Sequence, residues 1–93
     1  MGKHIIDVVS IDDDALFNNI FRIYIDHINK VTGYEVNLEV FESVNSAIDH
    51  ITKNDTYPDI IFLDLNMPMK SGWDFLDEIS ADVPSKIYIL TSS

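Results

Sequence analysis

The chain contains no cysteine and few basic residues. Among its 93 residues, six lysine and arginine residues stand against sixteen aspartate and glutamate residues, which gives a formal net charge of -10. The absence of cysteine excludes disulfides and thiolate metal sites and suits a reducing compartment. The acidic balance argues against binding of nucleic acid or an anionic membrane, because both are polyanions. A cation or a basic protein surface is the partner that this charge favours.

Glycine is also scarce, and no long apolar run is present. The three glycines of the chain are too widely spaced to form a glycine-rich phosphate loop. The apolar run near the start is broken by Asp7 and Ser10, so we expect neither a signal peptide nor a membrane span. A chain of this length has room for one domain.

What the chain does contain is an alternation of strand-like and helix-like apolar patterns. Apolar, often β-branched runs predict strands at residues 4–11, 34–41, 59–65 and 86–90. Three- and four-residue apolar spacings predict helices that begin near Asp14, after Ser43 as N-cap, and near Ser71. The order β-α-β-α-β-α-β predicts an α/β fold with a mainly parallel sheet and right-handed crossovers.

The same patterns predict which side chains face the core. We expect the first strand to be covered on both faces, and the second strand, with its alternating polar residues, to lie near a sheet edge. The core-facing residues predicted for the second helix are Val44, Ala47, Ile48 and Ile51, and those for the third helix are Trp73, Leu76 and Ile79.

Polar residues follow three of the predicted strands. The first strand leads into Asp12, Asp13 and Asp14, the third ends at Asp64, and the fourth leads into Thr91 and Ser92. Ligands of parallel α/β sheets bind beyond the carboxyl ends of the strands, so these groups are predicted to share one rim. Carboxylates on one rim repel one another unless a cation lies between them. Oxygen ligands alone point to a hard ion, Mg²⁺ before Ca²⁺ or Mn²⁺, and Mg²⁺ in turn points to a phosphoryl group.

Three segments together resemble the receiver domain of two-component response regulators. They are IDDD at 11–14, LDLNMPMKSG at 63–72 and LTSS at 90–93. The resemblance implies a flavodoxin-like (βα)5 fold with parallel strand order 2-1-3-4-5, of which residues 1–93 cover roughly the first four strands and three helices. The rest of the family pattern is a helix, a strand with an aromatic switch residue and a lysine, and a last helix. We therefore expect the chain to be part of a longer protein.

The resemblance also implies roles for single residues. Asp64 is the phosphoacceptor, and Asp12 and Asp13 hold Mg²⁺, or Mn²⁺ in its place, together with Asp64 and the backbone carbonyl of Asn66. Thr91 is the switch hydroxyl, and small Ser92 leaves room for the phosphoryl group. The positions of Asn66 and Ser93 tune dephosphorylation, whereas Pro68 and Gly72 shape the loop and have no chemical role.

The function implied by the resemblance is that of a cytoplasmic signalling switch and not of a metabolic enzyme. A sensor histidine kinase or a histidine phosphotransfer domain donates the phosphoryl group to Asp64. An output domain or target protein then reads the changed surface, and this piece itself binds neither nucleic acid nor membrane. A receiver that has lost phosphorylation is disfavoured, because the carboxylates and Thr91 are all present.

A phosphatase is the alternative from another class. Asp12-Asp13-Asp14 after an apolar strand also resembles the D-x-D motif of haloacid-dehalogenase-type phosphatases, with Asp12 as nucleophile and Asp14 as acid/base. The sequence IYILTS resembles that family's second motif. Against this alternative, Ala15 stands where the family prefers Thr or Val, and LDLNMP has no role. For Asp14 we favour a structural role as N-cap of the first helix.

Overall fold

The computed structural model describes residues 4–54, 57–65, 67, 71–79 and 85–90. Within these residues, strands and helices alternate along the chain as the sequence predicts. The elements are β1 (His4–Ile11), α1 (Ala15–Val31), β2 (Tyr34–Phe41), α2 (Val44–Asn54), β3 (Ile60–Asp64), α3 (Gly72–Glu78) and β4 (Lys86–Leu90). No helix in the described residues is both long and apolar enough to cross a membrane.

The strands form one parallel sheet in the order β2-β1-β3-β4. This order confirms the expected arrangement for the first four strands, and it places β2 at an edge, as predicted. Strand β1 pairs with β2 along its whole length and with β3 over its last four residues, Val8–Ile11. Because all the strands are parallel, the ends of β1 and β3 meet at the same rim of the sheet.

The main core lies between the sheet and helices α2 and α3. Its most deeply buried apolar residues are Val9, Ile11, Val44, Ala47, Ile51, Ile61, Leu63 and Phe75. The predicted face of α2 is confirmed, since three of its four residues are buried and Ile48 is partly buried against them. Each such Val, Leu, Ile or Phe side chain contributes about 1.5–3 kcal/mol when fully buried.

The predicted core face of α3 is wrong at its first residue. Trp73 is 61% exposed, whereas Phe75 is completely buried. Helix α3 begins at Gly72, whose backbone packs closely against the end of β3. This contact sets the rotation of the helix, so the buried residues fall at Gly72, Phe75 and Ile79. Trp73, one residue along the helix, is turned away from the core by about 100°.

Helix α1 packs on the opposite face of the sheet through a mixture of aromatic and amide groups. The Phe21 ring contacts the Phe62 ring of β3 edge-on, with centroids 5.2 Å apart. The Asn29 side chain accepts a hydrogen bond from the Val36 backbone N–H at 2.7 Å and donates one to the Val36 carbonyl at 3.2 Å. The same helix also presents apolar side chains to solvent, including Leu16 and Ile23.

Burial along β1 differs from the expectation. Val8, Val9, Ser10 and Ile11 are buried, but His4, Ile5 and Asp7 are exposed. Strand β3 pairs with β1 only from Val8 onward, so the first half of β1 has a neighbouring strand on one side alone. The prediction of a strand covered on both faces therefore fails for this first half.

Candidate functional site

Three carboxylates meet at the rim where β1 and β3 end. One carboxylate oxygen from each of Asp12, Asp13 and Asp64 can be chosen so that all three lie within 4.8 Å of one another. Ile11 pairs with Leu63 in the sheet, so the residues that follow them, Asp12 and Asp64, lie side by side. These two residues are each only 6% exposed, while Asp13 is exposed. The sequence prediction that these acids share a rim is thus confirmed.

Asp12 is held by hydrogen bonds in three directions. Its backbone N–H donates to the Phe41 carbonyl at the end of β2, 3.0 Å away. Its side-chain Oδ1 accepts from the Asp14 N–H at 2.9 Å, and its carbonyl accepts from the Asn18 side-chain Nδ2 at 2.9 Å. Strand β2, the loop itself and helix α1 therefore all fix the position of this acid.

Asp14 has the structural role that the sequence favours. Its Oδ1 accepts hydrogen bonds from the backbone N–H groups of Leu16 and Phe17, at 3.0 and 3.1 Å. These groups are donors that the first turn of α1 cannot satisfy internally, and the negative charge suits the positive end of the helix dipole. Asp14 is therefore the N-cap of α1, and its part as acid/base in the phosphatase alternative gains no support.

Burial and the neighbouring acids at this rim affect the pKa of Asp12. Its pKa is raised by desolvation first, and then by the nearby charges of Asp64, Asp13 and Asp14. The hydrogen bond from the Asp14 N–H acts in the opposite direction and does not cancel them. A carboxylate in such surroundings is stabilised by either a proton or a cation. The three oxygen donors fit a hard divalent ion such as Mg²⁺, which prefers carboxylate ligands.

Gly72 allows helix α3 to approach the residue that ends β3. A Cβ atom at Gly72 would lie 2.5 Å from the Asp64 backbone oxygen and 3.0 Å from the Leu65 Cα. Any larger residue would have to push the end of β3 away. The helix start is fixed further by the Asp74 carboxylate, which accepts a hydrogen bond from the Ser71 N–H at 2.8 Å. These contacts agree with the structural role predicted for Gly72.

Five other residues named in the sequence analysis lie outside the described residues. They are Asn66, Pro68, Thr91, Ser92 and Ser93. The structure does bring in one residue that the sequence analysis missed, Asn18, which is only 2% exposed and bonds to Asp12. Its signal in the sequence is weak, because α1 contains several polar residues and a second asparagine, Asn29, also faces the sheet.

Comparison with known proteins relates the chain to response regulators. The profile of the response regulator receiver domain matches residues 8–93. The chain is 31% identical over 94 residues to a protein-glutamate methylesterase/protein-glutamine glutaminase of Ralstonia nicotianae, covering 97% of this chain and 22% of that protein. The chain thus spans about a fifth of the length of this curated relative.

Solved structures share the fold. A two component response regulator from Cytophaga hutchinsonii has a TM-score of 0.80 and 27% identity, over 98% of this chain and 71% of that chain. A response regulator receiver domain protein from Clostridium thermocellum has a TM-score of 0.73 and 24% identity, over 92% of this chain and 64% of that chain. From the profile match and the parallel sheet order together, we conclude that the chain belongs to the response regulator receiver domain family.

Proposed function

We propose that this receiver domain is a phosphorylation switch and that Asp64 is its phosphoacceptor. The observation that carries the proposal is the cluster of three carboxylates in which Asp64 lies at the end of β3. Asp64 is nearly buried at the rim where parallel α/β sheets bind their ligands. An aspartate so placed can act as a nucleophile toward a phosphoryl group.

The donor in this proposal is the phosphohistidine of a histidine kinase or a phosphotransfer domain. An oxygen of the Asp64 carboxylate attacks the phosphorus and forms the new O–P bond. The N–P bond breaks, and its electron pair stays on the imidazole nitrogen of the donor. The product is an acyl phosphate on Asp64, which water later hydrolyses to restore the carboxylate.

Asp12, Asp13 and Asp64 would hold Mg²⁺, or Mn²⁺ in its place, together with the backbone carbonyl of Asn66. When bound, the ion supplies positive charge that neutralises the oxygens of the transferring phosphoryl group. The raised pKa of Asp12 and the oxygen-only donor set support this assignment. The contribution of the chain itself is to bring the three acids close together and to keep Asp12 fixed.

The signalling part of the proposal concerns the residues after β4 and Asn66, which follows β3 in the chain. Thr91 is the switch hydroxyl that donates a hydrogen bond to a phosphoryl oxygen, and Ser92 leaves room for the group. Asn66 and Ser93 set how fast the phosphoryl group is lost. Phosphorylation then biases a surface with two states, which an output domain or a target protein reads. In this role the protein acts as a cytoplasmic switch and turns over no metabolite.

Intact-mass spectrometry of the full-length protein, incubated with Mg²⁺ and acetyl phosphate, tests the proposal. We expect the wild-type protein to gain one phosphoryl group, Asp64→Asn to gain none, and Asp12→Asn to be labelled slowly with a higher Mg²⁺ requirement. Asp77→Asn, an exposed change on α3, is the matched control and should behave as wild type. A label that survives Asp64→Asn and disappears with Asp12→Asn would instead establish the phosphatase alternative.

A further inference from the structure

Asn18 is a buried amide that connects helix α1 to the acidic loop at residues 12–14. It is 2% exposed, and its Nδ2 donates to the Asp12 carbonyl at 2.9 Å. Its Oδ1 is buried and has no hydrogen-bond partner among the residues that the structure describes. A buried amide with an unpaired oxygen destabilises a protein interior relative to an apolar side chain of similar size. Packing alone therefore does not explain an asparagine at this position.

The hydrogen bonds around Asn18 form a closed circuit through the loop. The Asn18 backbone N–H donates to the Asp14 carbonyl at 3.0 Å, and its side chain donates to the Asp12 carbonyl. The Asp14 N–H in turn donates to the Asp12 carboxylate at 2.9 Å. The direction of the Asp12 carboxylate is thus tied to the first turn of α1.

We propose that Asn18 is a positioning residue that holds the acidic loop in the geometry that binds a divalent cation, an inference that rests on the proposed function. Asn18 touches neither the cation nor the phosphoryl group and acts through the backbone of Asp12. A loop that is already ordered loses little conformational freedom when the cation binds. Residues that orient metal ligands in this way typically change metal affinity by about 10–100-fold when they are replaced.

The chain supplies a matched control on the same helix. Asn29 also presents its amide to the sheet, but it bonds to the backbone of Val36 in β2 and lies eleven residues further along α1 than Asn18. If the amides of α1 served only to dock the helix, both would affect stability and neither would affect metal affinity. A difference between the two residues in Mg²⁺ affinity therefore separates positioning from docking.

The experiment is a calorimetric titration of the metal-free, full-length protein with Mg²⁺, together with thermal unfolding in EDTA. The variants are Asn18→Leu and Asn29→Leu. We expect Asn18→Leu to raise the Mg²⁺ dissociation constant by about 10-fold, with a melting temperature in EDTA at or above that of wild type. Asn29→Leu should lower the melting temperature and leave the dissociation constant unchanged. If Asn18→Leu does not fold, Asn18→Ser replaces it, because its hydroxyl is shorter than the amide arm.

A second readout follows phosphorylation by acetyl phosphate as a function of Mg²⁺. Because Asn18 acts through Asp12, its variant should need more Mg²⁺ for half-maximal labelling and approach the wild-type rate at saturation. The inference is overturned if Asn18→Leu binds Mg²⁺ as wild type does, or if Asn29→Leu weakens binding equally. If the wild-type protein binds no Mg²⁺, the metal part of the proposed function is wrong and the inference is wrong with it. If the wild type binds Mg²⁺ and the Asn18 variant binds it equally well, only the inference about Asn18 is wrong and the proposed function stands.

Discussion

The two faces of the sheet are built differently. The face under α2 and α3 is closed over β1 and β3, where Ile61 and Phe75 are fully buried, and it opens toward β4, where Ile89 is 46% exposed. The face under α1 is more open, since Phe62 of β3 is only partly buried beneath that helix and Tyr88 of β4 is 50% exposed. Helix α1 is tied to its surroundings partly by amides, Asn29 to β2 and Asn18 to the acidic loop.

This difference separates two tasks of the molecule. Burial of apolar area on the α2/α3 face stabilises the fold and fixes the ends of β1 and β3. Hydrogen bonds on the α1 face fix the direction of single groups at the rim, which apolar contacts do less precisely because they are not directional. Changes on the first face should therefore alter stability, and changes at the N-terminal end of α1 should alter the site.

The largest expected effect compares one residue type in the helices on the two sides of the sheet, buried in α2 and exposed to solvent in α1. Ile51→Ala should destabilise the protein by about 2–5 kcal/mol, because it leaves a cavity in the closed core. Ile23→Ala should change stability by no more than about 0.5 kcal/mol, since the side chain is exposed. Urea denaturation of both variants measures these free energies of unfolding. Similar losses for the two isoleucines would show that Ile23 is covered in solution and would contradict the comparison.

A smaller effect is expected at the junction between α3 and the site. Gly72→Ala places a Cβ against the Asp64 backbone oxygen, so we expect a loss of about 1–3 kcal/mol from overpacking. Labelling of Asp64 by acetyl phosphate should slow as well, because the strand end has to move. Gly33→Ala is the control. No atom lies within 4 Å of its added Cβ, and it should stabilise the chain by about 0.4–1 kcal/mol. Equal effects of the two substitutions on labelling would rule out the contact as the cause.

The smallest of the three effects concerns pH. Burial, with the charges of Asp64, Asp13 and Asp14, raises the pKa of Asp12 in the folded state. The folded protein therefore keeps a proton on Asp12 at pH values where the unfolded chain has released it, and stability falls as pH rises through the folded-state pKa. Asp12→Asn should flatten this fall, because an amide does not titrate in this range. Its side-chain oxygen can still accept the Asp14 N–H, so the loop geometry is kept.

Urea denaturation in EDTA across a pH series measures this slope for the wild type and for Asp12→Asn. At neutral pH in EDTA we expect Asp12→Asn to be more stable than the wild type. With Mg²⁺ added, the wild type should be the more stable protein, because only the wild type keeps all three carboxylates. A wild-type slope identical to that of Asp12→Asn would show that burial of this acid carries no penalty.

Much of the fold follows from local patterns. The runs at 4–11, 34–41 and 86–90 are strands with the predicted bounds, and the third strand is shorter than its predicted run by one residue at each end. Apolar alternation and β-branching are properties of the segment itself, so they are visible without the fold. The rim of carboxylates was also predictable, because parallel strands bring their ends together whatever the side-chain packing.

Other features depend on contacts between distant segments. The rotation of α3, which buries Phe75 and exposes Trp73, is set by the approach of Gly72 to β3. The exposure of the first half of β1 depends on where β3 begins to pair with it. The apolar period of a helical segment shows that one side of the helix is buried. It does not show which of two overlapping sets of residues contacts the sheet.

The sequence by itself determined the α/β alternation, the acids at the strand ends and the motifs that resemble receiver domains. Each of these features depends only on residues that are close together in the chain. Only the tertiary structure decided that Asp12 is buried, that its pKa is raised, and that Asn18 reaches its carbonyl. The physical reason is that burial and hydrogen-bond direction arise from segments that meet only on folding. Asn18 and Asp12 are six residues apart in the chain, and only the turn into α1 brings them together.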